Sequence, residues 1–139
     1  MDYTLRQATG DDYQFCYNLT RRNMYDLFCR HWGGWVDAEF SKGYVVENTR
    51  IIVVGNTAVG YFSHKIKDKS LYIDNIQLLP SWQRKGLGTR VLKSFCNEHR
   101  HATIQLTTFE DNQARQLYER IGFVIVEKRG FTIKMERRP

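Results

Sequence analysis

Cysteine and proline are scarce in this chain of 139 residues, with three of the first and two of the second. Cys16, Cys29 and Cys96 are odd in number and contain no Cys-x-x-Cys pair, so neither a disulfide framework nor a zinc site is indicated. Cys29-Arg30-His31 comes near a ligand spacing, but one such pair does not make a metal site. No metal is expected. Pro80 and Pro139 form no proline-rich linker, and no low-complexity tract or internal repeat interrupts the chain. One domain over residues 1–139 is the expectation, at a length that can enclose a core. Long apolar runs are missing too: none approaches the ~20 residues that a bilayer-crossing helix needs. Met1 is followed by Asp2 and a strand pattern rather than by a basic, then apolar, leader. A cytoplasmic protein with no membrane attachment is expected.

What is present points to a folded, ligand-binding chain. Hydrophobic residues make up 42% and aromatic residues 14%, a composition of cores rather than of disorder. The net charge of +6 suits an anionic ligand or a nucleic acid. The lysines and arginines are scattered and no nucleic-acid recognition motif accompanies them, so the nucleic-acid reading is set aside.

The most informative stretch is Gln83-Arg84-Lys85-Gly86-Leu87-Gly88-Thr89. It follows a strand-like run, Leu71–Leu79, and opens an amphipathic helix carrying Leu87, Val91, Leu92, Phe95 and Cys96 on one stripe. First-turn amides of a helix have no intrahelical acceptor, and the dipole is positive at that end. Gly86 and Gly88 lack a Cβ, which lets a ligand lie on the backbone, and Arg84 and Lys85 add charge. The chemistry fits a pyrophosphate. A Rossmann site is disfavoured, since that fingerprint is Gly-x-Gly-x-x-Gly after a first strand.

The remaining pattern alternates between two periods. Tyr3–Ala8 reads as a strand, and Thr9–Asp12 offers caps for a helix through Tyr13, Phe15, Cys16 and Leu19. Met24–Trp35 is rich in aromatics and breaks at Gly33-Gly34, with a second short helix from Asp37. Tyr44–Glu47 and Arg50–Val54 look like strand, Gly55-Asn56 like a turn, and Ala58–Lys67 like the next strand. Lys85 to about His99 is helix, Thr103–Thr107 strand, and Asn112–Arg120 helix stopped by Gly122. Phe123–Lys128 and Phe131–Met135 close a hairpin around Arg129-Gly130. The order β-α-α-β-β-β-α-β-α-β-β predicts an α/β (mixed α+β) fold, a six- to seven-stranded mixed sheet with about four helices on its two faces.

This order and two motifs resemble the GNAT superfamily of acetyl-CoA-dependent N-acetyltransferases. The resemblance spans essentially the whole chain. Gln83-Arg-Lys-Gly86-Leu-Gly88 fits the family's Q/R-x-x-G-x-G/A loop, a weak pattern alone. Asn112-Gln-Ala114-Arg-Gln-Leu117-Tyr118-Glu-Arg-Ile-Gly122-Phe123 is similar to its N-x-A-x-x-L-Y-x-x-x-G-F segment. Together, each in its expected setting, they are a strong signal. Gly55–Gly60 is a softer match to the turn before the family's third strand.

The resemblance implies acetyl transfer to a primary amine by direct attack, with acetyl-CoA as co-substrate. It places the coenzyme on Gln83, Arg84, Lys85, Gly86, Leu87, Gly88, Thr89, Asn112, Ala114 and Tyr118. It lays the pantetheine along the main chain near Ile76, Gln77 and Leu78, with the Leu78 amide as oxyanion donor. Tyr118 is implied as the general acid for the departing thiolate, although a core aromatic has the same helical spacing. Asn112 equally suits an ordinary helix cap. For the base, Tyr72 departs from the family's Glu or His, which leaves Asp74. A carboxylate near pKa 3.9 is a poor base unless buried or acting through water, so Asp74 as substrate anchor or as a structural group stays open. His64 and Glu39 are weaker candidates.

The acceptor side is implied to involve the two N-terminal helices and the last hairpin. Tyr25, Phe28, His31, Trp32 and Trp35, flanked by Asp26, Asp37 and Glu39, suit a cationic amine. Of these, Trp32, Trp35, Glu39 and Asp74 are the substrate-binding candidates, though Phe28, Trp32 and Trp35 are equally read as core. The acceptor, small molecule or protein, is not specified. The resemblance also allows a homodimer. Cys96 lies in an apolar stripe, which argues against an acyl-cysteine intermediate. The alternative function is a non-catalytic acyl-CoA-binding module of the same fold.

Overall fold

The computed structural model describes residues 2–139. The chain packs as two units, one running to Ser63 and including Asn75–Trp82, the other holding His64–Asp74 and Gln83–Pro139. The elements are β1 (Thr4–Gln7), α1 (Tyr13–Trp32), α2 (Asp37–Gly43), β2 (Thr49–Val54), β3 (Thr57–Lys67) and β4 (Ser70–Leu78). Then come α3 (Leu87–Glu98), β5 (Ile104–Phe109), α4 (Ala114–Ile121), β6 (Val124–Arg129) and β7 (Thr132–Arg137). One mixed seven-stranded sheet runs in the order β1-β2-β3-β4-β5-β7-β6. Element order and strand number agree with the sequence reading. Among the described residues, no helix is long and apolar enough to cross a membrane.

In the first unit, β1 is an edge strand paired antiparallel to β2 with Leu5 opposite Ile52. Arg6 donates both guanidinium hydrogen bonds to Asp12 at 2.9 Å, which ties β1 to the turn before α1. That pairing, with a hydrogen bond from the Thr9 amide, holds the Asp12 carboxyl below the usual range. Ala8, Cys16, Leu19, Ile51 and Tyr61 form a buried cluster. Two polar groups inside it are satisfied: Thr20 donates to the Cys16 carbonyl at 2.7 Å and shares a 2.5 Å bond with the Tyr61 hydroxyl. Gly33, in the left-handed region at φ 78°, ends α1 where the sequence breaks.

The expected strand over Tyr44–Glu47 does not form. Tyr44 instead packs edge-on to Tyr13 and stacks on Phe40, at centroid distances of 5.2 and 5.6 Å. Val46–Asn48 then makes a tight 3-10 turn, closed by Asn48 N–H and the Thr49 hydroxyl on the Val45 carbonyl. Ring packing after α2 overrides the β propensity of the two valines.

In the second unit, α3 buries Leu87, Gly88, Val91, Leu92, Phe95 and Cys96, the stripe expected from its spacing. Each such large apolar side chain adds about 1.5–3 kcal/mol when fully buried. β4 and β5 pair in parallel through Leu71–Ile73 and Ile104–Leu106. β7 lies antiparallel to β5, and β6 closes the order as an edge strand exposed along its whole length. The β6–β7 register slips between Ile125 and Glu127, which leaves Val126 as a bulge.

Candidate active site

The loop after β4 takes its shape from backbone torsions. Arg84 and Gly86 both sit in the left-handed region, at φ 62° and 84°. A glycine adopts that without strain, whereas an arginine there costs about 1–2 kcal/mol. One contact holds Arg84 in place: its Nη2 donates to Gln113 Oε1 at 2.9 Å, at the start of α4. These torsions begin α3 at Leu87 rather than Lys85, with Gly86 as its cap residue and the Gly86 carbonyl accepting from Arg90 N–H at 3.1 Å. A Cβ built on Gly86 would meet no atom within 4 Å, so the space above the loop is open. Open space, a helix N-terminus and cationic side chains make an anion cradle.

α4 begins at Ala114, two residues later than its sequence pattern, because Asn112 caps it. Asn112 Oδ1 accepts from Ala114 N–H at 3.0 Å, and its Nδ2 donates to Thr108 Oγ1 at 3.1 Å. Tyr118 is 7% exposed and edge-on to Phe123 at 6.1 Å. Burial alone pushes its phenol up to about 12. The hydroxyl therefore keeps its proton at neutral pH.

Asp74 does not stand alone. Its Oδ1 lies 3.2 Å from Lys65 Nζ. Lys65 and Lys67 also sit over the Tyr72 ring, at 5.6 and 4.9 Å from its centroid. The carboxylate proposed as base is thus an ion-pair partner, in a cluster of two lysines and a phenol. His64 packs its ring on Phe95 at 4.8 Å.

On the first unit, aromatic rings form a continuous strip. Phe28 stacks on Trp35 at 5.2 Å and meets Trp32 at 4.9 Å, while Trp35, Tyr17, Phe40 and Tyr13 follow at 5.6–6.3 Å. Trp32 is 61% exposed, so the core alternative fails for it. Asp37 accepts from the Tyr17 hydroxyl and from Trp35 Nε1, the latter at 2.8 Å. Those two bonds, the tyrosine's first, hold its carboxyl below the usual range. Asp37 is thereby a strut of the strip, while Asp26 and Glu39 are exposed. Tyr25, expected in the acceptor wall, carries Arg21 over its ring at 4.6 Å. Among the described residues, no group of three or more His, Cys, Asp or Glu has the arrangement to hold a metal.

Asn23 lies outside every sequence candidate, and Gly60 enters the sequence reading only as the end of the Gly55–Gly60 turn. Asn23, in the middle of α1, donates to the Leu78 carbonyl at 2.9 Å and to Gln77 Oε1 at 3.1 Å. Gly60 admits the end of β4 so closely that a Cβ would stand 2.3 Å from the Gln77 carbonyl oxygen. A polar residue inside a helix was the available signal for the first. An isolated glycine inside a strand was the signal for the second.

Residues 40–125 match the family model described as the acetyltransferase (GNAT) domain, more than half of the chain. The chain belongs to the GNAT acetyltransferases. Its fold is shared with solved members at low identity. The N-acetyltransferase PaiA of Thermoplasma acidophilum, solved with coenzyme A, superposes with a TM-score of 0.81 at 15% identity, covering 100% of both chains. The ribosomal-protein-S18-alanine N-acetyltransferase of Escherichia coli gives 0.73 at 20% identity, over 98% of this chain and 93% of that one. Ard1 of Thermoplasma volcanium gives 0.72 at 18% identity, over 99% and 97%. No curated protein sequence matches this GNAT chain significantly.

Proposed function

We propose that residues 1–139 form one cytoplasmic GNAT domain that moves acetyl from acetyl-CoA to a primary amine by direct attack in a ternary complex. The observation that carries this reading is the Gln83–Thr89 loop, with Arg84 and Gly86 left-handed ahead of α3. Gln83, Arg84, Lys85 and Gly86 of the loop and Leu87, Gly88 and Thr89 of the first turn of α3 would receive the pyrophosphate. The main chain of Ile76, Gln77 and Leu78 would receive the pantetheine as an added strand. Asn112 keeps one amide hydrogen for the same ligand after capping α4, and Ala114 lines the turn beside it.

Three demands of the chemistry then fall on three groups. The thioester oxygen gains negative charge, and the Leu78 N–H is the donor assigned to it. The departing thiolate takes a proton from Tyr118, a phenol that is protonated at neutral pH. The amine must lose a proton to attack, and Asp74 serves as a base through water or as an anchor for the amine. Trp32, Trp35 and Glu39 would line the acceptor. CoA supplies the thiol leaving group, and no metal enters any step.

One observation favours the second reading, an acyl-CoA-binding module without turnover. Asp74 Oδ1 is paired with Lys65 at 3.2 Å, so a substrate amine at that oxygen would compete with a lysine of the same chain. Thiol release from acetyl-CoA across a panel of amines separates the readings. Release that depends on one amine class and falls about 100-fold in Tyr118→Phe establishes the transferase with its acid. An acetyl-CoA-dependent rise in melting temperature with no release on any amine favours the module. No stabilisation by CoA or acetyl-CoA overturns both.

A further inference from the structure

The end of β4 is buried on both faces: Gln77 and Leu78 are consecutive, and each is only 9% exposed. Contacts from two elements hold its main chain. From α1, the Asn23 amide uses both its hydrogens, one on the Leu78 carbonyl and one on the Gln77 side chain. Gln77 Nε2 passes the chain on to Asn75 Oδ1 at 3.1 Å. From β3, the Val59 carbonyl accepts the Leu79 N–H at 2.8 Å, and Gly60 lies against Gln77 O and Leu78 Cα.

An asparagine inside a helix lowers helix propensity, because its side chain competes for backbone groups. Here it satisfies two buried acceptors on another element instead. We propose that Asn23 is a positioning residue for acetyl transfer, holding the Leu78 main chain at the angle at which its N–H meets the thioester oxygen. This rests on the reading of Leu78 as oxyanion donor. Asn23 touches neither coenzyme nor acceptor in this scheme. It acts through the Leu78 peptide and through Gln77.

The test is the carbonyl resonance of [1-13C]acetyl-CoA bound to the full chain. Hydrogen-bond donation to the thioester oxygen moves that resonance downfield of the free coenzyme. In Asn23→Leu, which keeps the side-chain bulk and removes the donor, most of the displacement is lost while affinity for CoA is retained. With an acceptor amine in hand, kcat falls about 10- to 100-fold at an unchanged KM for acetyl-CoA. Thr20→Val removes a different buried hydrogen bond of α1 and is expected to lower the melting temperature without moving the resonance. If Asn23→Leu does not fold, Asn23→Asp replaces it, an acceptor of the same shape facing the Leu78 carbonyl.

The outcomes separate this inference from the reading beneath it. An unshifted carbonyl in bound wild-type protein overturns the role of Leu78, and that of Asn23 with it. A shift retained in the Asn23 variant overturns the role of Asn23 alone. Equal loss in Thr20→Val makes the effect general loosening and also overturns it.

Discussion

The Gln83–Glu98 segment and the Tyr13–Tyr44 segment are opposite ways to present a binding surface. The first is made of main chain: left-handed torsions at Arg84 and Gly86, then the amides that open α3. The second is made of side chains: rings at centroid distances of about 5–6 Å, fastened by Asp37. Main-chain surfaces need particular residues at particular spacings, whereas ring surfaces can be built from many aromatic sequences.

The largest expected break in the comparison is alkaline. Cys16, at the base of the aromatic segment, is pushed by burial from 9.0 up to about 11, and Tyr118 from 10.0 up to about 12. Both groups are neutral when protonated, and the folded chain holds their protons longer than the unfolded chain does. Their contribution is complete below pH 9 and pH 10 respectively, and is lost as pH rises toward 11 and 12. For Tyr118 the shift corresponds to about 2–3 kcal/mol, and for Cys16, where solvent screens the thiolate more, to less than that. Urea unfolding from pH 8 to 12 should show stability falling, the thiol's part first, with the Tyr44 phenol, also raised by burial, adding to the later loss. Cys16→Ala should remove the early part and Tyr118→Phe should reduce the later one; unchanged curves in both would contradict the assignment.

A smaller effect sharpens the contrast from the side of the coenzyme. Gly86→Ala meets open space but must hold φ near 84°, at a cost of about 1–2 kcal/mol. Coenzyme affinity by calorimetry should fall about tenfold, as the loop relaxes away from the cradle. An affinity equal to wild type would show that the torsion is not what binds. The smallest effect belongs to the exposed end of the strip. Trp32→Ala should change stability by no more than about 0.5 kcal/mol, since the ring is 61% exposed. It should raise KM for the acceptor and leave that for acetyl-CoA alone. A large loss of stability would make Trp32 a packing residue.

The same contrast explains what could be read from the sequence. The α3 stripe, the order of all eleven elements and the glycine loop were legible, because period and glycine placement are local properties. The helices begin at Leu87 and Ala114, each two residues after its hydrophobic pattern, since a left-handed Arg84 and a side-chain cap leave no mark in hydrophobic spacing. The expected strand at Tyr44 failed for a non-local reason, the rings of Tyr13 and Phe40. The Asp74–Lys65 pair and the reach of Asn23 to Leu78 join residues 9 and 55 positions apart, and no pattern along the chain encodes them. Charge partners and buried amides are decided by topology.

The bulge at Val126 has a consequence for the life of the chain in concentrated solution. Val124-Ile125-Val126 on an outermost strand is the kind of segment that seeds cross-β growth, each arriving copy reading the free amides as a template. Growth of that sort needs a flat ribbon in continuous register. The slip at Val126 interrupts the register at the end of the apolar run, and Glu127, Lys128 and Arg129 follow at once with charges that resist stacking on themselves. The extra residue and the three charges that follow it act together to keep this rim from templating another copy.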